Sequence, residues 1–120
     1  MRLPHLDQRI PLHPGEAGQL AYAVDWMLTR IVQAPTPRSI RTVLSLEPLT
    51  RVYGRLSARE RQEAGRVGKP PRKPRTFTLR YDEVAALMLI LPVAPAAGLA
   101  WGEVQRASLN LTPYIDFTIR

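Results

Sequence analysis

The chain has 120 residues, 45% of them hydrophobic and 22% charged, a composition typical of one folded domain. It contains no cysteine, which excludes a disulfide framework and thiolate chemistry. Seventeen basic residues against ten acidic residues give a net charge of +7, and the twelve prolines predict short elements joined by extended connections.

The first fourteen residues are predicted to form an extended N-terminal arm. Three prolines, Pro4, Pro11 and Pro14, interrupt the segment, and its scattered Leu and Ile residues need a surface to lie against. We expect the arm to fold back on its own domain, and contact with a neighbouring subunit is the alternative. The segment lacks the apolar core of a signal peptide, and no apolar run is long enough to cross a bilayer. A cytoplasmic protein with no membrane partner is therefore expected.

Three helices are predicted in the first half of the remaining chain. Apolar residues at three- and four-residue steps indicate a helix from Glu16 to Gln33. A second helix is expected to begin at Thr36-Pro37 and to be broken or bent by Pro48. The segment Ser57–Glu60 has the form of a capping box, which predicts a third short helix ending at about Ala64.

The second half alternates between a loop, strands and helices. Glycines, prolines and five basic residues predict an irregular basic loop at 65–75. A short strand at 76–80 precedes a helix at about 81–91 that is apolar on nearly every side and should therefore be central. A final helix over 99–111 leads to an alternating segment at 114–119 that could pair with 76–80.

These elements predict an α+β, predominantly helical fold. It consists of four to five short helices around the apolar central helix, with a small two-stranded β element from 76–80 and 114–119. The arm at 1–14 would precede a single helical domain at 15–120.

The positive charge is concentrated in residues 51–80, which contain ten basic and two acidic residues, whereas the other ninety residues carry seven basic and eight acidic ones. A basic loop beside basic helical residues suits phosphate binding through the release of counterions. The predicted partner is nucleic acid, either DNA or RNA, or another polyanion. The predicted contacts are Arg51, Arg55, Arg59, Arg66, Lys69, Arg72, Lys73, Arg75 and Arg80.

Two observations limit this interpretation. A solvated basic loop with no partner would carry the same charges. Tyr53, Phe77 and Tyr81 could offer stacking surfaces for bases, but their positions favour burial.

Residues for catalysis or metal binding do not form a recognisable pattern. His5 and His13, with Asp7, lack the spacing of metal ligands. The adjacent carboxylates Asp82 and Glu83 are attributed to the electrostatics of a helix start, and Lys69 lacks the Ser or Thr that follows it in a phosphate-binding loop. We expect no enzymatic activity, no metal and no cofactor.

A non-enzymatic basic binding protein, acting alone or as an accessory subunit of a nucleoprotein complex, is the predicted function. The alternative is a structural or assembly subunit that oligomerises or docks on a protein partner. It would do so through the N-terminal arm and the C-terminal strand.

Overall fold

The computed structural model describes residues 6–34, 37, 39–65, 73–90 and 100–115. Within these residues, four helices accompany one two-stranded antiparallel sheet. The predicted α+β, predominantly helical class is confirmed. In chain order the elements are β1 (Gln8–Leu12), α1 (Glu16–Gln33), α2 (Ile40–Ala64), β2 (Arg75–Leu79), α3 (Tyr81–Ile90) and α4 (Ala100–Leu111).

The sheet joins the N-terminal segment to the strand that follows the basic loop. β1 and β2 pair antiparallel, with Ile10 opposite Phe77. Side chains alternate across the sheet, so Ile10, Leu12, Phe77 and Leu79 are buried. In the described sheet the partner of β2 is β1. The predicted pairing of 76–80 with 114–119 falls mostly on 116–119, which lie outside the described residues. The arm's apolar residues need cover, and pairing beside β2 places them in the core.

Helix α1 has the bounds that its apolar spacing predicts. It begins after Gly15, whose φ of 89° is left-handed and suits a residue without a Cβ. Oε1 of Glu16 accepts a hydrogen bond from the His13 backbone N at 2.6 Å, which fixes the chain's entry into the helix. The helix ends at Gln33, before Ala34 adopts an extended conformation.

Helix α2 is one continuous helix of 25 residues with Pro48 inside it. Of the two alternatives predicted at Pro48, a break and a bend, the break is therefore wrong, and so is the separate helix after Ser57. It begins at Ile40, after the Ser39 side chain accepts a hydrogen bond from the Thr42 backbone N at 3.2 Å, and not at Thr36-Pro37. An interior proline costs a helix about 3 kcal/mol. Burial of Leu49, Val52 and Leu56, together with Pro48 itself, against α1 and α3 outweighs that cost.

Helices α1 and α2 run antiparallel, because α1 begins beside the last turns of α2 and ends beside its first turns. Near the start of α1, a Cβ added at Gly18 would lie 3.0 Å from the side chain of Glu60, which is near the end of α2. Near the end of α1, Met27 and Ile31 line a groove with Ile40, the first residue of α2. The C-terminal end of α2, which carries much of the basic charge, is therefore next to the N-terminal end of α1.

Helix α3 is central, as its composition predicts. It contacts all three other helices, and Val84, Leu87 and Ile90 are buried against them. Leu91, at the end of the predicted range, lies outside the described residues. α4 packs on α3, α1 and β1 through Val104, Ala107 and Leu111, which completes the core.

Candidate nucleic-acid interface

The nine basic residues predicted to contact phosphate fall into three groups. Arg51, Arg55 and Arg80 lie where α2 meets the start of α3. Arg59, Lys73 and Arg75 lie around the C-terminal end of α2 and the start of β2. The remaining three, Arg66, Lys69 and Arg72, lie outside the described residues.

The first group surrounds the carboxylate of Glu83, which has no exposed side-chain surface. Nε of Arg51 donates to Oε2 at 3.0 Å, and Nη1 of Arg55 donates to Oε1 at 2.7 Å and to Oε2 at 2.9 Å. The Arg80 backbone N donates to Oε1 at 2.8 Å and closes the first turn of α3. Charge-assisted hydrogen bonds from two guanidinium groups thus compensate a buried negative charge.

Asp82 adds a second carboxylate to this cluster. Its Oδ2 accepts from Nη2 of Arg51 at 2.7 Å, and Oδ1 lies 4.0 Å from Nε of Arg80. Burial by itself lowers the pKa of Arg51, but hydrogen bonds and the negative charges of Asp82 and Glu83 outweigh it and raise that pKa. Arg51 is therefore held in its charged form by the protein's own acids.

Helix-start electrostatics is thus only part of the role of Asp82 and Glu83. Glu83 does close the first turn of α3, but both carboxylates also tie α3 to α2 through arginine. Arg55 in addition donates to the Thr78 backbone carbonyl in β2. Because these guanidinium groups are engaged inside the fold, Arg51 and Arg55 are poor candidates for phosphate contact.

The second group has a different electrostatic setting. Nη2 of Arg59 donates to the Thr76 carbonyl at 2.9 Å, whereas its Nη1 is buried without a hydrogen-bond partner. Burial lowers the pKa of Arg59, and the positive charge of Arg75 lowers it further, against a smaller opposing effect of Glu63. Lys73 and Arg75 are themselves exposed. Two positive charges here repel each other, and the nearby acids compensate them only in part.

The two acidic residues within 51–80 are directed toward α1. Oε2 of Glu63 accepts from the Gly15 backbone N at 3.0 Å, at the N-terminal end of α1. The Glu60 side chain packs against Gly18, one turn further along that helix. Negative charge is favourable at a helix N-terminus, so Glu63 stabilises the start of α1 while it offsets only part of the effect of Arg75 on Arg59.

The three aromatic residues considered for stacking are covered by the protein. Phe77 is buried, and the guanidinium carbons of Arg55 and Arg59 lie 4.7 Å and 5.5 Å from its ring centroid. Tyr53 and Tyr81 are partly buried and pack against the hydrophobic core. The burial that their positions favour is what the structure shows.

Sequence reasoning missed a different aromatic pair, on α1. Tyr22 is 61% exposed and Trp26 is partly exposed one turn later. The guanidinium carbon of Arg30 lies 3.8 Å from the Trp26 ring centroid. The sequence pattern places Tyr22 and Trp26 at the edge of the apolar stripe of the helix and Arg30 outside it. The four-residue spacing of Tyr22, Trp26 and Arg30 was the available signal that they share a face.

Other classes of site have little support in the described part of the chain. His13 is exposed, His5 lies outside the described residues, and no three His, Asp or Glu side chains among the described ones are placed to hold a metal ion. Of the helices that the structure describes, none has the length and apolar character needed to span a bilayer. Comparison with protein-family models, with curated proteins and with solved structures finds no match.

Proposed function

We propose that this chain is a non-enzymatic protein that binds the phosphates of nucleic acid, as an accessory subunit of a nucleoprotein complex. The contact surface is smaller than the charge count predicts. It comprises the basic end, which we define as Arg59 and Arg61 in the C-terminal turns of α2 together with Lys73 and Arg75; the predicted contacts Arg66, Lys69 and Arg72 lie outside the described residues. Arg51 and Arg55 are bonded to Asp82 and Glu83 and are not part of the basic end, and we also leave out Arg80, whose Nε lies 4.0 Å from Asp82.

The observation that carries the proposal is the exposure of Lys73 and Arg75 at the start of β2, next to Thr76, whose carbonyl accepts from Arg59. Nη1 of Arg59 is buried there without a hydrogen-bond partner, and burial and the positive charge of Arg75 both lower the pKa of Arg59. Such a site attracts mobile anions from solution, and a polyanion gains entropy by replacing them. The sequence adds Arg66, Lys69 and Arg72 in the connecting segment without any acid.

A charge-matched pair of variants tests the proposal. The Lys73→Gln/Arg75→Gln double variant removes two exposed charges at the basic end. The Arg41→Gln/Arg106→Gln double variant removes two exposed charges elsewhere, since Arg41 lies in the first turn of α2 and Arg106 in α4. Arg41 and the last turn of α2 are about 30 Å apart at 1.5 Å per residue.

Binding of a labelled oligonucleotide is measured by fluorescence anisotropy over a range of salt concentrations. Each lost phosphate contact lowers the slope of log affinity against log salt by about 0.7 for a single strand and about 0.9 for a duplex. The first variant should therefore lose about 1.4 to 1.8 units of slope, and the second should match the parent protein. Equal slopes in the two variants would contradict the proposal.

The assembly hypothesis is the second candidate, and the structure changes its basis. The N-terminal arm is engaged in its own sheet, since Ile10 and Leu12 of β1 are buried. The specific observation in favour of assembly is now the start of α2, where Ile40, Val43 and Leu44 are exposed. A second copy of the chain is the occupant to test, because two identical apolar surfaces can meet across a two-fold axis. Light scattering of the protein and of Leu44→Glu decides it: a monomer in both excludes this candidate.

A further inference from the structure

A groove follows the first turns of α2, at the end of this helix that lies away from the basic end. Its first part is a cavity of about 460 Å³ between the end of α1, the start of α2 and the end of α3. An adjoining cavity of about 270 Å³ continues between α2 and α3 as far as Pro48. Arg41, Ser45 and Leu89 line both cavities, so the two form one continuous groove. The larger cavity alone has the volume of a small-molecule site, which is about 300 to 1,000 Å³.

The walls of the groove are mostly apolar. Side chains from three helices form them: Met27, Ile31, Ile40, Leu44, Leu89 and Ile90. The short side chains of Ala85 and Ala86 leave room in the second part. Ile40 is 74% exposed and Leu44 is 70% exposed, so a ligand in the groove would remove their apolar surface from water.

The charge at the groove is positive. Arg41 is the only basic residue among those that line it, and its side chain lies where the two cavities join. None of the acids in the described residues forms an ion pair with Arg41, and the first turn of α2 contains no acid. Asp82 also lines the groove, but its carboxylate accepts from Nη2 of Arg51 at 2.7 Å. An anion at the groove therefore meets an uncompensated guanidinium group.

We propose that this groove binds a free fatty acid, with its hydrocarbon chain between the helices and its carboxylate at Arg41. An apolar groove with a single uncompensated cation matches a ligand that has one chain and one negative charge, and a guanidinium group can bind a carboxylate through two hydrogen bonds. A membrane surface, by contrast, is recognised by a cluster of cations. The site does not depend on the proposed function, because Arg41 lies about 30 Å from the last turn of α2.

Isothermal titration calorimetry with decanoate, below the concentration at which it forms micelles, tests the site. Decanoate should bind saturably, with one molecule per protein. Decanol has the same chain without the charge and should bind about three- to five-fold more weakly, because it cannot form an ion pair with the exposed Arg41. Decylammonium should bind more weakly still, because its charge has the same sign as Arg41. Octanoate should lose about four-fold in affinity for each methylene removed from the groove.

Three variants locate the ligand. Arg41→Gln should lower the affinity for decanoate to that for decanol and leave decanol binding unchanged. Ile40→Ser should weaken the binding of both ligands by about five- to ten-fold, because it removes apolar contact area. Val43→Ser is the matched control: Val43 is also an exposed apolar residue at the start of α2, but it lines neither cavity, so this variant should bind both ligands as the parent does.

The outcomes that would overturn the inference are distinct. Equal affinity of the parent for decanoate and decanol, or an unchanged decanoate affinity in Arg41→Gln, would show that Arg41 does not hold the carboxylate. Full affinity in Ile40→Ser, or an equal loss in Val43→Ser, would place the ligand elsewhere. Absence of decanoate binding in a protein that light scattering shows to be a dimer would assign the groove to a second copy of the chain. Each of these results leaves nucleic-acid binding at the basic end unaffected.

Discussion

Replacement of Glu83 by glutamine should destabilise the protein more than any other single loss of an acidic group in the described residues. The change is nearly isosteric, so it tests the charge and not the packing. Glu83 has no exposed surface and accepts hydrogen bonds from Arg51, from Arg55 and from the Arg80 backbone N. A neutral amide carries no negative charge to compensate the positive charges of the two guanidinium groups. Its NH₂ group would also point at N–H groups that need an acceptor.

The magnitude follows from how much of the cluster is in contact with water. Removing one partner of a buried ion pair costs about 3 to 5 kcal/mol. The side chains of Arg51 and Arg55 are 27% and 37% exposed, so water recovers part of the loss. We expect about 3 kcal/mol for Glu83→Gln, a large part of the 5 to 15 kcal/mol typical of a domain. Arg55→Met should cost about 2 kcal/mol.

Urea unfolding followed by far-ultraviolet circular dichroism measures these free energies. The control is Glu47→Gln, because Glu47 is 90% exposed and only 3.9 Å from Nη1 of Arg51, a geometry worth less than about 1 kcal/mol. In the double variant of Glu83 and Arg55, the cost should be lower than the sum of the single costs by about 1 to 2 kcal/mol. A Glu83→Gln variant as stable as Glu47→Gln, or strictly additive costs, would refute the reasoning.

Two further predictions concern charge repulsion and glycine. Burial lowers the pKa of Arg59 most, and Arg75→Gln removes the positive charge that lowers it further. This variant should therefore leave the free energy of unfolding unchanged or raise it by up to about 0.5 kcal/mol while polyanion binding weakens. A clear loss of stability in urea would contradict this. Gly54 lies inside α2 with open space around a Cβ, so Gly54→Ala should stabilise by about 0.5 to 1 kcal/mol. Gly15→Ala should instead destabilise, because φ there is +89°. Thermal unfolding of the two variants checks the opposite signs.

The predictions of α1 and α3 were accurate because in both helices the local sequence pattern agrees with the observed burial. The apolar spacing of 16–33 gives the bounds of α1, and the apolar composition of 81–91 identifies the central helix. For α2 the sequence left a break and a bend at Pro48 open and predicted a separate helix after Ser57, because proline is unfavourable inside a helix. Tertiary packing on both sides of the proline keeps the helix continuous. Such packing cannot be recognised in a local window of sequence.

Strand pairing was harder to predict than strand position. The strand after the basic loop was expected within one residue of its observed bounds, but its partner was not identified. Pro11 argues against a strand in the N-terminal arm, although proline is tolerated at a sheet edge. The signal in favour of a strand was the spacing of Ile10 and Leu12, which lie two residues apart and are both buried.

The candidate site shows the limit of a charge count. Sequence locates the excess charge in 51–80 but does not show which arginine meets which carboxylate. Asp82 and Glu83 follow directly after that stretch, so a count that ends at Arg80 leaves out the acids that pair with Arg51 and Arg55. Pairing across 31 and 32 residues depends on how α2 crosses α3, which only the structure gives.

The pairing of β1 with β2 has a consequence for the order of synthesis. β1 is synthesised before its partner β2, because both long helices lie between them in the chain. Still later in the chain, Nδ2 of Asn110 donates to Gln8 Oε1 at 3.2 Å. Until Leu79 has been synthesised, β1 has no strand to pair with. Ile10 and Leu12 are then exposed and can bind chaperones or other nascent chains. The helical hairpin of α1 and α2 can form before β2 has been synthesised, whereas the sheet can close only afterwards.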